Sequence, residues 1–396
     1  MGMTDVARGL EISHPPDLGR SEETPPAGGL PLGRAGLIGA VLLGLAGPAC
    51  SEPILDPVAV WTLSGDLEGE DRPPAYDVSG IACLPPEKNR RPCLIVNDQN
   101  TFAQRVTLAD RRILVGETVP LIPDGPVPDP ATLGAAPDPG ENCPEPGGFK
   151  DLDGEGVAYA EPYLYIVGSH GCSRYARKFH LSAYILARVR VGGDGRILAQ
   201  DGGVPAPAER PVQTTYRLSD ALRAAAPVND LFSKELGANG LNVEGVAVVG
   251  DTLYAGLRAP SLHGTAYLVG AKLADLFAPG HGPSPDAPTV IELPLGEGVG
   301  IRDLAALSDG RLLVLSGPAQ NADGPYDLHV ANPSPGPGAT HLGTLAALRG
   351  PNAKGREVVG KAEALLVLRE DPLEILVLFD GLRNGAPREY HLGAKP

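Results

Sequence analysis

The chain has 396 residues, of which 42% are hydrophobic, and contains 52 glycines and 42 prolines, so a large core is available but long helices are not expected. The net charge of −15 at pH 7 argues against binding to nucleic acid or to an anionic membrane surface. Cations and small neutral ligands are better candidate partners, although solubility alone also explains an acidic balance.

The first 50 residues are predicted to be a disordered stretch followed by an export segment. Residues 1–31 are rich in Pro, Gly and acidic residues, a composition typical of disorder, and a start codon placed too early is a second interpretation. The apolar run 35–47 is too short to span a bilayer and follows Arg34, as in a secretory signal. Cys50 is then a candidate for lipidation, with ordinary cleavage after Ala49 as the alternative. We expect an exported protein, located in the periplasm, as an outer-membrane lipoprotein or outside the cell.

Cysteine usage fits export. Lipidation of Cys50 would leave four cysteines that can form two disulfides, namely Cys83, Cys93, Cys143 and Cys172. Cys83 and Cys93 flank a polar connection at which two antiparallel strands would bring them together. Buried unpaired thiols are the alternative.

One unit occurs five times along the rest of the chain: a small or acidic residue, an apolar run, a turn and a second apolar run. The copies begin Ser79-Gly80-Ile81, Glu155-Gly156-Val157, Glu244-Gly245-Val246, Asp303-Leu304-Ala305 and Glu363-Ala364-Leu365. The turns between the two apolar runs contain residue pairs typical of β-hairpins, such as Gly250-Asp251 and Asp309-Gly310. The last two spacings are about 60 residues, which suits a four-stranded blade with long loops.

The repeats predict an all-β fold over residues 51–396, a single β-propeller of about five four-stranded blades. Third strands are expected at Phe102–Leu108, Leu181–Val191, Thr265–Val269, Tyr326–Val330 and Arg388–Leu392. The fifth unit lacks a fourth strand, and the alternating segment Val58–Leu63 could supply it and close the ring.

Two long connections interrupt the pattern. The first, 119–149, is so rich in Pro and Gly that we expect only loop, of a length often kept for lids or binding loops. The second, 192–239, contains a strand-like stretch Val212–Leu218, then Ser219 as the N-cap of a short helix that Pro227 breaks and Gly237 stops. Six blades remain an alternative if this connection hides a degenerate unit.

Hairpin geometry points to a candidate site. The start of the first strand and the end of the second share one end, and first strands of a propeller line its channel. The repeated acidic residues should therefore surround one mouth of the channel. Polar residues that follow the second strands should lie near them. These are the predicted metal ligands Glu155, Glu244, Asp303 and Glu363, the candidate general base or ligand His170, and the candidate ligand-binding residues Asn97, Asp98, Arg174, Asn242, Arg258 and Arg302.

A ring of carboxylates stays ionised only if a cation or basic side chains compensate it. Calcium or magnesium is one solution, because these ions take oxygen ligands and no Cys or His cluster indicates zinc. Internal pairing is the rival: Arg258 and Arg302 could each hold a carboxylate, or the carboxylates could accept backbone N–H bonds between blades. The basic loop from Ser169 to His180 could hold an anionic group, with plain surface charge as its alternative. No nucleophile elbow or phosphate-binding glycine loop is present.

The ordered set of motifs resembles an uncharacterised bacterial family, domain of unknown function 3616, from about Tyr76 to the C-terminus. The motifs are Asp153-Gly154-Glu155-Gly156, Gly168-Ser169-His170, Leu241-Asn242-Val243-Glu244-Gly245, Leu257-Arg258-Ala259-Pro260, Gly300-Ile301-Arg302-Asp303 and Lys361-Ala362-Glu363. The resemblance implies a propeller and no known activity. A looser similarity links the chain to esterase-like phytase and gluconolactonase-type propellers, in which an acidic residue before Gly can bind a metal.

The leading hypothesis is an exported propeller that binds a divalent cation and a small or anionic ligand at the channel mouth and hydrolyses an ester or phosphoester. The alternative is a non-catalytic envelope binding module or scaffold with a structural acidic ring, whose partner is an envelope protein. We expect a monomer, no nucleic acid, and membrane contact only through a lipid anchor. The sequence leaves open whether the protein is an enzyme.

Overall fold

The inner strands of the fold carry the repeated units, and each is followed by three partners in an antiparallel sheet. The computed structural model describes residues 53–70, 73–140, 143–174, 176–199, 209–284, 286–336 and 338–393. The predicted export segment and Cys50 lie outside the described residues. Among the described residues, no helix is long and apolar enough to cross a bilayer.

Five four-stranded blades follow one another along the chain, and each strand order below runs from the channel outwards. Blade 1 contains Val78–Cys83, Arg91–Asn97, Phe102–Ala109 and Arg112–Pro120. Blade 2 contains Gly154–Ala160, Tyr163–Gly168, Leu186–Arg190 and Val212–Thr215. Blade 3 contains Asn242–Val249, Thr252–Ala259, Ala266–Lys272 and Thr289–Leu293.

Blades 4 and 5 complete the ring. Blade 4 contains Val299–Ala306, Leu312–Pro318, Asp327–Ala331 and Ala339–Leu345. Blade 5 contains Lys361–Glu370, Leu373–Asp380, Arg388–Gly393 and, from the N-terminal side of the chain, Ala59–Val60. The five inner strands contact one another in ring order, and the fifth contacts the first. The predicted five-bladed propeller is confirmed.

The N-terminal segment closes the ring. Ala59–Val60 pairs antiparallel with Arg388–Gly393 of blade 5, so the first part of the predicted segment Val58–Leu63 supplies the fourth strand, whereas its last two residues pair with blade 1. The chain then crosses to blade 1, where Thr62–Ser64 runs parallel to the outer strand Arg112–Pro120. A further short strand, Ile54–Leu55, extends blade 4 in parallel. A single segment thus joins the last blade to the first.

Glycine after the acidic residue explains how the inner strands approach so closely. A Cβ on Gly156 would lie 2.9 Å from the carbonyl oxygen of Glu244, and one on Gly245 would lie 2.8 Å from Cα of Asp303. Separations this short leave no room for a side chain. The Glu-Gly repeat therefore serves the packing of blade against blade, and the apolar core fills the space between successive blades.

The second long connection differs from its prediction. Its strand stops at Thr215, and the helix runs over Arg217–Ala224, so Ser219 lies inside the helix instead of capping it. The N–H of Arg217 donates to Oγ1 of Thr215 at 3.1 Å, which explains the earlier start. The helix ends before Pro227, and short 3₁₀ turns follow at Asn229–Leu231 and Leu236–Ala238.

Several smaller elements were also missed. The third strand of blade 2 is shorter than predicted because Leu181–Tyr184 forms a 3₁₀ turn before it. The first long connection is not entirely loop, since Glu145–Gly148 pairs with Lys178–His180 in parallel. The remaining elements are the hairpin of Arg349–Pro351 and Glu357–Val359, the helix Leu273–Leu276 and a 3₁₀ turn at Arg383–Gly385.

Both disulfides that the cysteine count allows are present, Cys83–Cys93 and Cys143–Cys172. The first joins facing residues of adjacent strands of blade 1. The second ties the first long connection to the segment that follows the second strand of blade 2.

Candidate functional site

The inner strands bring most of the predicted site residues to one mouth of the channel. There they line a polar cavity of about 320 Å³, which we call the mouth cavity. Its lining includes seven of the predicted residues: Asp98, Glu155, Arg174, Asn242, Glu244, Arg258 and Glu363. It also includes Ser169 and His180, the two ends of the basic loop considered above for an anionic group, and residues that the sequence analysis did not assign, among them Lys150, Asp151, Asp153 and Lys361. Carboxylates outnumber cationic side chains in this lining by seven to four.

Two of the carboxylates are neutralised by buried arginines. Glu244 accepts a hydrogen bond of 2.6 Å from Nη1 of Arg258 and lies 3.4 Å from Nη2 of Arg302. The same nitrogen of Arg302 donates to Glu363. Burial alone would raise the pKa of Glu244, but the two guanidinium groups hold it below its usual value. These four side chains link the inner strands of blades 3, 4 and 5, as the structural alternative for the ring predicts.

Asp303 links blade 4 to blade 5 and does not line the mouth cavity. Its carboxylate accepts the N–H of Leu304 at 2.7 Å and that of Leu365, on the inner strand of blade 5, at 2.6 Å. Burial raises the pKa of Asp303 well above its usual value, although the two N–H bonds act in the opposite direction. The carboxylate therefore connects blade 4 to blade 5 through the backbone, which sets it apart from the other predicted metal ligands.

Three carboxylates of the mouth cavity form no ion pair with a cationic side chain among the described residues: Asp98, Asp153 and Glu155. Burial raises the pKa of Glu155 well above its usual value, with Glu244, Asp153 and Asp98 adding to the effect. Burial has the same effect on Asp98, and it raises the pKa of Asp153 to about 6 against the hydrogen bond that Ser169 donates to it. The cavity therefore concentrates negative charge that its own residues do not neutralise.

Unpaired polar atoms accompany these carboxylates. Oδ1 of Asn242 and Oδ1 of Asp98 are buried and accept no hydrogen bond from the described residues. Asn242 is only 7% exposed, so its carbonyl oxygen has little access to bulk water. Arg174 lines the same cavity, and its guanidinium has neither a hydrogen bond nor an ion pair within the described part of the chain. Oxygen acceptors and one cationic group are thus available to a bound molecule.

Three further predicted site residues, besides Asp303, lie outside this cavity. His170 is fully buried, its ring packs edge-on against Tyr184, and its Nδ1 lies 2.8 Å from the carbonyl oxygen of Gly168. Burial lowers the pKa of His170 to about 4. Asn97 lies away from the cavity and donates to the carbonyl oxygen of Glu68 at 2.8 Å. Arg302 lies behind the cavity wall, with its charge directed to Glu244 and Glu363.

A model of a known protein family matches much of the propeller. The model of a family described as "Protein of unknown function (DUF3616)" matches residues 145–226 and 212–388, which is more than half of the chain. The chain belongs to this DUF3616 family. No curated protein matches it.

Among solved structures, the DUF3616 chain is similar to propeller proteins at low identity. An exo-β-1,3-galactanase from Phanerochaete chrysosporium shares 9% identity over 86% of this chain and 64% of that one, with a TM-score of 0.38. A calcium-binding protein, regucalcin, from Agrobacterium tumefaciens shares 11% identity over 85% and 98% of the two chains, with a TM-score of 0.33. A putative 6-phosphogluconolactonase from Bacteroides fragilis shares 11% over 79% and 70%, with a TM-score of 0.29. The chain spans less than two thirds of the galactanase.

Proximity along the chain would have found some of the cavity residues that the sequence analysis missed. Asp153 lies two positions before Glu155, and Lys361 lies two positions before Glu363. Asp380 is the last residue of the second strand of blade 5 and forms an ion pair of 2.7 Å with Lys361. By contrast, Lys150 and Asp151 directly follow the first long connection, whose path no periodicity predicts.

One other cluster has the composition of a metal site. Among the described residues, Glu374, Glu389 and His391 form the one trio of ligand groups whose atoms all lie within 4.8 Å of one another. Glu389 already accepts hydrogen bonds from Nε1 of Trp61 at 2.8 Å and from Nε of Arg111 at 2.9 Å. This carboxylate is thus occupied by donors from the N-terminal segment and blade 1, and it acts in ring closure.

Proposed function

We propose that the mouth cavity of this DUF3616 propeller binds a divalent cation through Asp98, Asp153 and Glu155. The observation that carries the proposal is a set of three carboxylates without an ion-pair partner among the described residues, beside Asn242, a buried side chain whose carbonyl oxygen has no donor there. A cation would relieve the repulsion among the carboxylates and give that oxygen a partner.

The donor set favours calcium or magnesium. Carboxylate and amide oxygens are the ligands that these hard ions prefer, and Cys172 is not available because it is in a disulfide. The three carboxylates are not among the groups whose ligand atoms lie within 4.8 Å of one another. Water or the bound ligand would therefore bridge at least one of these carboxylates to the ion, and magnesium commonly keeps several waters of this kind.

Arg174 is the candidate anchor for a small anionic ligand. Arg258 and Arg302, two of the predicted ligand-binding residues, already hold Glu244 and Glu363. Arg174 has no carboxylate partner within the described residues. A cation bound in the cavity would polarise an ester or phosphoryl oxygen. Ester or phosphoester hydrolysis is the reaction that this pairing of cation and guanidinium supports best.

Calorimetric titration of the chelator-treated protein with Ca²⁺ and Mg²⁺ tests the cation site. We expect one site and a rise in melting temperature on binding, with affinity at least about tenfold weaker in Glu155→Gln. Asp251→Asn is the control, because this carboxylate is 76% exposed on a turn of blade 3. Failure to bind either ion, or binding that Glu155→Gln leaves intact and His391→Ala abolishes, would refute the assignment.

Turnover of small aryl esters and phosphoesters by the cation-loaded protein tests the chemistry. We expect Arg174→Gln to raise KM for the anionic phosphoester more than for the neutral ester, because only the former presents a charge to the guanidinium. Cation and anion binding without turnover would refute hydrolysis. It would favour the alternative of a non-catalytic binding module, for which the buried clamp of Glu244, Arg302 and Glu363 supplies rigidity.

We also propose that the protein acts outside the cytoplasm. Two disulfides within one propeller are typical of proteins that fold in an oxidising compartment. Fractionation of the native host with an antibody to the propeller would test this, and recovery in the reduced cytoplasmic fraction would contradict it.

A further inference from the structure

A second and larger cavity lies on the outer side of blade 2, apart from the channel. Its volume is about 770 Å³, within the range of small-molecule sites. We call it the side cavity. Its apolar wall comes from several elements and includes the buried residues Leu121, Ile122, Phe149, Ile185, Val212 and Phe277. None of its lining residues also lines the mouth cavity.

The wall supplied by the first long connection is fixed by hydrogen bonds. Leu133 donates its N–H to the carbonyl oxygen of Thr214 at 2.9 Å, and Gly134 donates to Gly280 at 3.0 Å. Oγ1 of Thr132 lies 2.9 Å from Oγ1 of Thr214. The connection is therefore held against the outer strand of blade 2 and the segment after the helix Leu273–Leu276. The cavity is preformed, which lowers the entropic cost of binding.

The charge in this apolar cavity is unbalanced. Arg210 forms an ion pair of 2.5 Å with Asp129, so these two lining charges cancel. Arg188 has no carboxylate partner among the described residues. Its Nε donates to Oε1 of Gln213 at 2.8 Å, and its Cζ lies 4.2 Å and 4.1 Å from the ring centroids of Tyr163 and Phe277. One positive charge thus remains in an otherwise apolar site.

A partly buried guanidinium of this kind favours an anion. Its aromatic and amide contacts hold the group in place but leave its charge uncompensated. The planar fork of arginine matches a carboxylate, and a single excess positive charge matches a monoanion. The large apolar wall requires that the rest of the ligand be apolar.

We propose that the side cavity binds an apolar monocarboxylic acid, with its carboxylate on Arg188 and its hydrocarbon part against Ile122, Phe149 and Phe277. This site is independent of the proposed cation site. The ligand would be a medium-chain fatty acid or an aryl carboxylic acid, in addition to any ligand of the mouth cavity. The volume of about 770 Å³ is more than such a molecule needs.

Titration of the purified protein with decanoate, and separately with decanol, tests the proposal. We expect decanoate to bind at least about tenfold more tightly than decanol, because only the carboxylate can accept charge-assisted hydrogen bonds from Arg188. In Arg188→Gln that preference should disappear while decanol binding is retained. Arg190→Gln is the matched control, since Arg190 lies two residues further along the same strand and is exposed.

Two further variants keep the result interpretable. Ala131→Trp, on the connection that forms the wall, should narrow the cavity and weaken the binding of both probes without altering a blade. Glu155→Gln should leave decanoate binding unchanged, so the two sites can fail separately. The proposal is overturned if the wild type binds neither probe, if it binds both equally, or if Ala131→Trp binds decanoate as well as the wild type does.

Discussion

Single carboxylates in equivalent positions of the repeat have separate tasks. Glu244 and Glu363 neutralise Arg302, and Asp303 accepts two backbone N–H groups. Of the four repeated carboxylates, only Glu155 faces the mouth cavity without an ion-pair partner among the described residues. The difference arises from what each neighbouring blade presents, so the repeated sequence position does not by itself define a ligand.

Asp303 is expected to matter for stability and not for cation binding. Asp303→Ala would leave the N–H groups of Leu304 and Leu365 without their acceptor in a buried setting, which should lower the free energy of unfolding by about 2–4 kcal/mol. Urea denaturation measures the change, with the exposed Asp251→Ala as control. A normal unfolding midpoint together with lost cation binding would show that Asp303 is a ligand after all.

The inner strand is the element in which the repeat has its clearest structural meaning. Gly80, Gly156 and Gly245 each lie where the next inner strand passes within about 3 Å of the place that a Cβ would occupy, so the strands of blades 1 to 4 pack backbone against backbone. Blade 4 has Leu304 at this position, and there the carboxylate of Asp303 makes the connection to blade 5. At the contact between blades 4 and 5, a side-chain hydrogen bond thus replaces the close contact between backbones.

Gly156→Ala should therefore be costly although alanine is a small residue. The added Cβ would lie 2.9 Å from a backbone oxygen and 3.0 Å from a backbone nitrogen, neither of which can rotate away. We expect a loss of about 1–3 kcal/mol in the free energy of unfolding. Gly193→Ala is the control, because no atom lies within 4 Å of its Cβ position. Equal melting temperatures for the two variants would disprove the packing argument.

At the scale of the whole molecule, repeats and hairpins predicted the fold because each blade repeats the same local pattern. The five inner strands, the third strands and the closing segment follow from apolar runs and turn residues, which are local signals. The position of His170 did not follow, because its backbone adopts a left-handed conformation, with φ of 49°, directly after a strand. Strand alternation does not extend through such a turn, and the ring is buried against Tyr184.

The location of the candidate site was predictable from the sequence, but the pairing of its charged residues was not. Hairpin geometry gathered seven of the named residues around the mouth cavity, but it could not assign which carboxylates the arginines hold. That partition depends on contacts between residues about 60 positions apart, such as Arg302 with Glu363. The side cavity was beyond prediction, since one of its walls comes from the first long connection, whose path carries no periodic pattern.

One buried carboxylate contributes hydrogen bonds to the closure of the ring. Glu389 of blade 5 accepts hydrogen bonds from Trp61 of the closing segment, from Arg111 of blade 1 and from His391 at 2.9 Å. Burial would raise the pKa of Glu389, but these donors, Arg111 foremost, lower it to about 2. The contacts made by the ionised form thus connect the first blade, the last blade and the segment between them.

This carboxylate should make ring closure sensitive to acid. Its pKa is lower in the folded protein than in the unfolded chain, where the usual value is 4.5, so its stabilising contribution is complete above that pH and disappears as the pH falls towards 2. Glu389→Gln should lower the free energy of unfolding by about 2 kcal/mol at pH 7, and the gap to the wild type should narrow between pH 5 and pH 2. Urea denaturation across this range measures both effects. Glu117→Gln is the control, because this ion-pair partner of Arg105 is 85% exposed and should contribute little. A gap that stayed constant with pH would show that the ionised form of Glu389 does not hold the ring closed.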